Sequence, residues 1–557
     1  MIEERLADLV RRALEAAARE LEVGGDLPAV EITRPKQREF GDFSTNAALA
    51  LASRAKRDPA EVAKAVVANL PQADFVSDVE IAGRGFINFR VTNLWLYDVL
   101  REVVEKGEAF GRADPTDESV QVEFVSANPV GPLHVGTGRN AVLGDALSSI
   151  LEASGRRVER EYYFNDAGRQ MDLFAESVEA RYLELFDKPA EIPEDGYGGE
   201  YIVDLAREIA AKVGDSLLEL SEEERRKRLQ QLGEERVFAW IRATLERLGI
   251  HMDSWLSERT LHETGAIRET VQRLKESGAA YESEGAVFFR STEYGDEKDR
   301  VLIRGNGEPT YFAADCAYLV HKISRGFDRL VYVWGADHHG TVKRLKGAAE
   351  ALGYDPSAIE VVLYQLVTLL RGGEEVRMSK RSGDIVSLDE LIGEVGPDAV
   401  RFTLLSQSND SAINFDIEVA KQQNMENPVY YVQYAHARIA SILRHAKEQG
   451  VELGSLEDAP LDRLETDAEL DVIREISELP EQVRSAADLR APHRLTHFSR
   501  VLAEKFHRFY VECRVVTDDA ELTQARLWLS TAAKRAIGNL LSILRVSAPE
   551  SMERDGA

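Results

Sequence analysis

Hydrophobic residues recur every three to four positions over residues 1–22, and this spacing predicts an amphipathic helix at the start of the chain. The stretch D-P-A-E at 58–61 has the order of an N-cap, a first-turn proline and a capping-box acid, so a second helix is expected there. Apolar residues then alternate with polar ones over 85–91, which predicts a strand. Together these elements predict a small α+β domain over residues 1–110.

Strand and helix patterns alternate through the middle of the chain. An apolar run at 120–125 predicts a strand, residues 139–153 a helix, and residues 156–165 another strand. Helical patterns dominate residues 170–280, after which short apolar runs return at 286–290, 301–303, 329–334 and 359–369. Alternation of this kind predicts a Rossmann-type parallel sheet with a helical insertion over about 170–280. We assign this α/β domain to residues 111–425.

The remainder of the chain is almost wholly helical in pattern. Asn427 is a good N-cap, and Pro428 occupies the first helical position after it. The periodicity predicts helices over residues 427–450, 467–488, 492–513 and 521–545. Residues 426–557 are therefore expected to form an all-α domain.

Composition places the chain among ordinary globular proteins. The 69 basic and 97 acidic residues give a net charge of −28, which by itself disfavours a nucleic-acid partner, although a local basic face is enough to bind phosphate. No apolar run approaches the length of a membrane span, and the charged N-terminus is unlike a signal peptide. The two cysteines lie far apart without a C-x-x-C pair, so we expect a reduced, cytoplasmic protein with no membrane contact.

The stretch S-A-N-P-V-G-P-L-H-V-G-T-G-R at residues 126–139 joins the predicted strand to a predicted helix. A glycine-rich turn before a helix N-terminus can bind a phosphate, because the first backbone amides of the helix are free to donate. The glycines match neither the P-loop nor the dinucleotide pattern. A purely structural turn is the alternative interpretation.

A second polar segment, R-M-S-K-R-S-G at residues 377–383, has one lysine between two arginines. Lys380 could stabilise negative charge that develops on a polyphosphate, whereas an exposed basic turn is the commoner explanation of such a run. The pair P-L-H-V-G-T-G and R-M-S-K-R resembles the two signatures of class I aminoacyl-tRNA synthetases, usually written H-I-G-H and K-M-S-K.

Further blocks resemble the arginyl-tRNA synthetase family in particular, over nearly the whole chain. They are F-G-D-F-S-T-N-A-A at 40–48, V-E-F-V-S-A-N-P at 122–129, W-G-A-D-H-H-G at 334–340 and N-P-V-Y-Y-V-Q-Y-A-H-A-R at 427–438. The resemblance implies ATP-dependent ligation of L-arginine to tRNA(Arg) through an arginyl-adenylate, with Mg²⁺ bound mainly through the ATP phosphates. It also implies that the C-terminal domain binds the anticodon, and we expect a monomer.

The resemblance assigns roles to individual residues. The arginine-binding residues would be Glu123, Asn128, His134, Tyr311, Asp315 and His338. The ATP-binding residues would be Pro132, Gly136, Gly138, His338, Met378, Ser379 and Lys380, and the catalytic ones His134, Thr137 and Lys380. A planar guanidinium with five donors favours fixed carboxylates, which suits Glu123 and Asp315. From the residues alone, a solvated or salt-bridged surface acid is the favoured interpretation of either carboxylate.

Thr137 departs from the family pattern, because a second signature histidine usually occupies that position. Threonine can donate one hydrogen bond but carries no charge. We therefore expect Thr137 to keep a neutral contact, while His134, the helix N-terminus and Lys380 stabilise the charge.

The residues implied in tRNA binding are Arg34, Lys36, Arg38, Phe40, Tyr430 and Tyr434. Exposed aromatic rings stack on unpaired bases, but aromatic residues at helical spacing more often belong to the core. His338 and His339 are adjacent and have no obvious third ligand, so no structural zinc or other protein-bound metal is expected.

Two other functions are compatible with parts of the sequence. Another class I synthetase or an adenylyltransferase would share the signature loop, but the paired acids Glu123 and Asp315 and the helical C-terminal region argue against it. A catalytically inactive paralogue that binds RNA or regulates another protein would be expected to lose a signature residue, whereas His134 and Lys380 are both present.

Overall fold

The computed structural model describes residues 2–35, 37–166, 168–376 and 386–552, and it describes Arg38 without its side chain. The strands are β1 (Phe43–Thr45), β2 (Val76–Ala82), β3 (Phe86–Val91), β4 (Ser119–Glu123), β5 (Arg157–Phe164), β6 (Ser254–Ser257), β7 (Ala280–Ser283), β8 (Ala286–Phe289), β9 (Arg300–Ile303), β10 (Arg329–Gly335), β11 (Ile359–Tyr364), β12 (Val367–Arg371), β13 (Glu374–Glu375) and β14 (Ile413–Asp416). The helices are α1 (Ile2–Glu20), α2 (Ala47–Ala55), α3 (Pro59–Ala68), α4 (Leu94–Lys106), α5 (Val135–Ala153), α6 (Arg169–Glu184), α7 (Glu200–Val213), α8 (Glu222–Arg247), α9 (Glu258–Glu263), α10 (Ala266–Glu276), α11 (Tyr311–Ser324), α12 (His339–Ala351), α13 (Leu388–Val395), α14 (Pro397–Leu404), α15 (Ile417–Lys421), α16 (Pro428–Glu448), α17 (Asp467–Asp488), α18 (His493–Glu512) and α19 (Ala520–Ile543).

The chain forms two compact units. The first contains residues 1–110, 439–479 and 504–536, and the second contains residues 111–438, 480–503 and 537–557. Each of the four C-terminal helices, α16 to α19, contributes residues to both units.

In the first unit, helices α1 to α3 pack with a three-stranded antiparallel sheet in the order β1-β3-β2. The predicted strand is confirmed as β3, and its Ile87 and Phe89 are fully buried. Asp58 caps α3 by accepting hydrogen bonds from Ala60 N and Glu61 N, with Pro59 at the first helical position. The expected α+β character of this region is confirmed.

The second unit is built on a parallel five-stranded sheet in the order β11-β10-β4-β5-β6. Helices connect these strands, so the predicted Rossmann-type fold with a helical C-terminal region is confirmed. Helices α6, α7 and α8 form the insertion between β5 and β6. The helical pattern expected up to residue 280 is interrupted at 254–257, where β6 joins the edge of the sheet; the strand is too short for its periodicity to stand out.

The strand order reverses beside β4, because α5 leads from β4 to β5 on one side while β10 returns on the other. Asn140 of α5 joins the two strand ends: its side chain accepts a hydrogen bond from Val125 N at 2.5 Å and donates one to Val333 O at 2.7 Å. Open α/β sheets bind ligands in the crevice at such a reversal.

Helix α5 begins four residues earlier than the sequence pattern predicts. His134 is its N-cap, and the Nδ1 atom of that side chain accepts a hydrogen bond from Thr137 N at 3.3 Å. Histidine is not among the usual N-cap residues, so the start was not recognised. The predicted cap of α16 is confirmed, because Asn427 Oδ1 accepts from Val429 N at 3.2 Å.

A buried ion pair ties α14 to α5 inside the second unit. Arg401 and Asp145 approach to 2.6 Å, with side chains 1% and 2% exposed. The same guanidinium donates to the backbone carbonyls of Leu248 and Leu544, at 2.9 Å and 3.2 Å. Among the described residues, no helix has the length and hydropathy needed to cross a membrane.

Candidate active site

A cavity of about 290 Å³ lies at the carboxyl ends of β4 and β10, where the strand order reverses. Its wall includes two acids, Glu123 of β4 and Asp315 of α11, together with the aromatic rings of Tyr163, Tyr318 and Tyr332. Glu123 and Tyr332 are direct neighbours in the register of the sheet. The predicted arginine-binding acids therefore meet in one cavity, although they are almost two hundred residues apart in sequence.

The backbone leaving β4 is strained. Val125 and Ser126 have φ values of +66° and +45°, and Ser126 N donates to Phe124 O at 3.0 Å across a turn centred on Val125. A β-branched residue rarely adopts a positive φ, so the surrounding structure must hold this turn in place. The turn directs Ser126 Oγ to Glu123 Oε1, at 3.0 Å.

Of the two acids in the cavity, Glu123 has a cationic partner, whereas Asp315 has none among the described residues. Glu123 is 4% exposed and accepts a hydrogen bond from the buried Lys322 ammonium at 2.6 Å. The structure gives the Asp315 carboxylate no hydrogen bond or ion pair among the described residues. Burial, with smaller contributions from Glu258 and Glu123, raises the pKa of Asp315 to about 7. A cationic ligand in the cavity would therefore stabilise the ionised form of Asp315 more than that of Glu123, which already has a cationic partner.

Aromatic rings and a third acid surround Asp315. Tyr163 stacks on Tyr318 with ring centroids 4.1 Å apart and an interplanar angle of 13°. The Tyr163 hydroxyl donates to Glu258 Oε2 at 2.7 Å, and burial raises the pKa of Glu258. An acidic cavity with aromatic rings in its wall suits a planar cation.

The glycine-rich loop places its two signature residues against each other. Thr137 Oγ1 lies 3.2 Å from His134 Nε2, and a side chain at Gly136 would lie 3.1 Å from the same ring. Gly138 has a packing role, because a Cβ atom there would come within 2.7 Å of Leu388 Cδ1.

The chain downstream of residues 377–385 begins its next helix beside this loop. Leu388 N donates to Leu133 O at 2.8 Å, and Ser387 pairs with His134 as an isolated β-bridge. This contact ties the start of α13 to the glycine-rich loop.

Of the other residues predicted to bind arginine or ATP, some line the cavity and others do not. His338 lines the cavity with a side chain that is 58% exposed. Asn128 and Tyr311 are not in the wall: Asn128 Oδ1 accepts from Asn165 N at 3.1 Å, and Tyr311 is 57% exposed. Pro132 is half-buried in the glycine-rich loop. Met378, Ser379 and Lys380 lie outside the described residues.

The predicted tRNA-binding residues fall into two groups. In the first unit, Arg34 forms ion pairs with Glu3 and Glu478, while Phe40 is 48% exposed. Lys36 and the side chain of Arg38 lie outside the described part of the chain.

In the second unit, Tyr430 is 5% exposed and stacks on Tyr434 with ring centroids 5.8 Å apart. The core interpretation therefore suits Tyr430 better than base stacking does. Among the described residues, no group of three or more His, Cys, Asp or Glu side chains has the geometry of a metal site.

Sequence reasoning missed several residues of the site, namely Ser126, Asn140, Tyr318 and Lys322. Tyr318 and Lys322 could have been found from the sequence, because they share one helical face with Tyr311 and Asp315. The four residues follow each other at spacings of four, three and four. Ser126 and Asn140 carried none, since their partners are set by the strained turn and by the neighbouring strand.

Comparison with known proteins gives three family matches that together span most of the chain. Residues 99–439 match the class I (R) catalytic domain of tRNA synthetases, residues 4–91 the arginyl-tRNA synthetase N-terminal domain, and residues 432–552 the DALR anticodon-binding domain.

Individual relatives agree with these matches. An arginine–tRNA ligase of Heliobacterium modesticaldum is 47% identical over 99% of both chains, and one of Moorella thermoacetica is 48% identical over 98% of both. The structure of Thermus thermophilus arginyl-tRNA synthetase superposes with a TM-score of 0.74 over 99% of this chain and 100% of that one, at 23% identity, and so supports the fold.

Proposed function

Because the chain belongs to the arginyl-tRNA synthetase family, we propose that it ligates L-arginine to tRNA(Arg) through an arginyl-adenylate, with ATP and Mg²⁺ as the activating substrate. The observation that carries this proposal is the acidic cavity at the strand reversal, in which Asp315 has no partner among the described residues. A half-buried acid of this kind is stabilised by a cation, and the arginine side chain is always charged.

In this proposal Asp315 and Glu123 bind the guanidinium, and His338 lies at the cavity wall toward the nucleotide. The distribution of charge supports the first assignment, because both acids line one cavity whose remaining walls are largely aromatic. Asn128 and Tyr311 lie outside the cavity wall: Asn128 accepts a hydrogen bond from Asn165 N in the loop after β5, and Tyr311 begins the helix that carries Asp315.

The chemistry needs no side-chain nucleophile. The carboxylate of arginine attacks the α-phosphorus of ATP, a new O–P bond forms, and the bond to pyrophosphate breaks. The terminal ribose hydroxyl of the tRNA then attacks the arginyl carbonyl and displaces AMP. Both steps depend on positioning and on stabilisation of developing charge.

The glycine-rich loop suits the first step. The N-terminus of α5 presents backbone amides to an anion, and His134 and Thr137 face each other at that terminus. Pro132, Gly136 and Gly138 shape the loop, while Met378, Ser379 and Lys380 bind ATP in this proposal. Thr137 contributes a neutral contact, so Thr137→His is expected not to raise the activation rate by orders of magnitude.

The C-terminal helices bind the anticodon region in this proposal, and Arg34 and Phe40 contact the outer corner of the tRNA. The match of residues 432–552 to an anticodon-binding domain supports the first of these assignments. We further propose a monomeric, cytoplasmic enzyme whose domains cover residues 1–110, 111–425 and 426–557. Both cysteines are buried and free, as suits a reducing compartment.

Pyrophosphate exchange measured with each amino acid, with and without tRNA(Arg), tests the proposal. Exchange is expected with arginine alone among the amino acids, and tRNA is expected to be required or strongly stimulating. Exchange with a different amino acid, or none with arginine and tRNA(Arg) together, refutes it.

Asp315→Asn refines the test. Loss of one charge partner should raise the KM for arginine far more than the KM for ATP. The matched control is Asp328→Asn, the same chemical change at the opposite end of the sheet, where the carboxylate accepts hydrogen bonds from Ser119. That variant should leave both constants unchanged, and equal effects of Asp315→Asn on the two substrates would contradict the assignment.

A further inference from the structure

One face of α11 carries a chemically distinct row of side chains. Asp315, Tyr318 and Lys322 lie at spacings of three and four residues and so share that face. It packs toward the carboxyl ends of β4, β5 and β10, which contribute Glu123, Glu161 and Tyr332 respectively. Asp315 and Tyr318 reach the cavity, whereas Lys322 lies behind its wall.

Lys322 is completely buried. Its ammonium lies 2.6 Å from Glu123 Oε2, and it stands 3.8 Å and 4.4 Å from the ring centroids of Tyr332 and Tyr318. A buried ammonium loses its hydration, and here one carboxylate and two aromatic faces replace part of it. An arrangement this costly is expected to serve a purpose other than stability.

The consequence for Glu123 is a fixed carboxylate plane. Lys322 donates to Oε2 at 2.6 Å, while Ser126 Oγ donates to Oε1 at 3.0 Å. Each oxygen therefore has one protein donor and keeps a second lone pair for a ligand. A guanidinium needs acceptors held in its own plane, whereas an ammonium binds a carboxylate in many orientations.

Lys322 also sets the charge of the cavity. Glu123 and Asp315 both line it, and the Glu123 carboxylate disfavours ionisation of Asp315. Because Lys322 compensates Glu123, one uncompensated acid remains, which matches one cationic side chain. Glu161 stands beside this pair with its own partners: it accepts from the Tyr318 hydroxyl at 2.5 Å and pairs with Arg325.

We propose that Lys322 is a positioning residue for substrate selection, which orients and neutralises Glu123 so that the cavity prefers a guanidinium to an ammonium of equal charge. This inference rests on the proposed function. Lys322 does not line the cavity and acts through Glu123, so its influence is expected on the amino acid and not on ATP.

Lys322→Met tests this directly, since methionine keeps most of the side-chain length without the charge. The KM for arginine is expected to rise about tenfold to a hundredfold, the usual effect of removing a hydrogen bond to a charged group, while the KM for ATP changes less than about threefold. The preference for arginine over lysine, measured in pyrophosphate exchange as the ratio of the inhibition constant of lysine to the KM for arginine, is expected to fall by about tenfold or more. Equal changes in both KM values, or an unchanged preference, would overturn the proposal.

A double-mutant cycle separates positioning from a merely structural role. If Lys322 acts through Glu123, Lys322→Met should have little additional effect on the KM for arginine in a Glu123→Gln background. The double variant replaces a buried ion pair by two neutral side chains of similar size, so it should fold even if Lys322→Met alone does not. Independent, multiplicative effects of the two substitutions would overturn the proposal.

Arg325→Gln is the matched control, because it removes a cation from the next turn of the same helix region. Arg325 pairs with Glu159 and Glu161 and not with Glu123, so the KM for arginine should stay within about twofold. If Arg325→Gln raised the KM for arginine as much as Lys322→Met does, the loss of any nearby cation would explain the effect and Lys322 would have no specific role. If the wild-type enzyme shows no pyrophosphate exchange with arginine, the proposed function fails. If the wild-type enzyme does exchange and the Lys322→Met variant has the same KM for arginine, only this inference fails.

Discussion

The pH dependence of arginine binding gives a sharp test of the role of Asp315. Asp315 is half-buried, and desolvation together with the nearby Glu258 and Glu123 raises its pKa from 3.8 to about 7. A guanidinium binds the ionised form, so protons compete with arginine for this site. Arginine binding should therefore release a proton near neutral pH and become tighter as the pH rises through 7.

The magnitude follows from the fraction of ionised carboxylate. With a pKa of about 7, roughly one Asp315 in eleven is ionised at pH 6 and roughly ten in eleven at pH 8. The KM for arginine should consequently be about tenfold higher at pH 6 than at pH 8 and should level off above pH 8. The guanidinium does not titrate in this range, and the ATP concentration can be kept saturating.

The assay is steady-state arginylation of tRNA at varied arginine concentration between pH 6 and pH 8.5. Asp315→Asn is the first control: the KM should be high and nearly independent of pH. Glu258→Gln is the second, because removal of a neighbouring charge should move the midpoint to lower pH while the glutamine oxygen still accepts from Tyr163. A flat wild-type profile, or an Asp315→Asn profile with the same slope, would refute the reasoning.

Three further predictions concern activation and stability. Thr137→Ala should slow pyrophosphate exchange by about tenfold or less, as expected for one neutral hydrogen bond, and a loss of several orders of magnitude would contradict this. Arg401→Leu leaves Asp145 buried without this partner and should destabilise the protein by roughly 3–5 kcal/mol, seen as a lower denaturation midpoint; an unchanged midpoint would contradict it. Gly144→Ala places a Cβ 2.1 Å from the Phe124 ring, so it should cost about 1–3 kcal/mol or more, and Phe124→Leu in the same chain should recover part of that loss.

The sequence by itself determined the local elements and the class of fold. Periodicity located β3 and α1, an aspartate with a following proline marked the start of α3, and Asn427 marked the start of α16. These features depend on residues within one or two helical turns of each other, so they can be read directly from the chain. The alternation of strands and helices was enough to predict the parallel sheet.

The family resemblance named Glu123 and Asp315 as a pair of arginine-binding acids, but it did not distinguish between them. The sequence assigns Glu123 and Asp315 the same role, and the residues beside them in sequence do not show which of the two carboxylates forms an ion pair within the protein. Lys322 could have been suspected from its helical spacing to Asp315, although its partner could not, because Glu123 lies 199 residues earlier. The resemblance marks His134 as a ligand candidate, whereas its residue type gives no sign that it caps a helix.

Only the tertiary structure decided how charge is distributed in the site. The order of the strands places Glu123 beside Tyr332, and the packing of α11 over them brings Lys322 to Glu123 and leaves Asp315 facing the cavity. Periodicity reports which face of an element is apolar, whereas an ion pair depends on distances between elements far apart in the chain. The sequence thus specified the elements and their chemistry, and the packing determined which acid remains available to a cation.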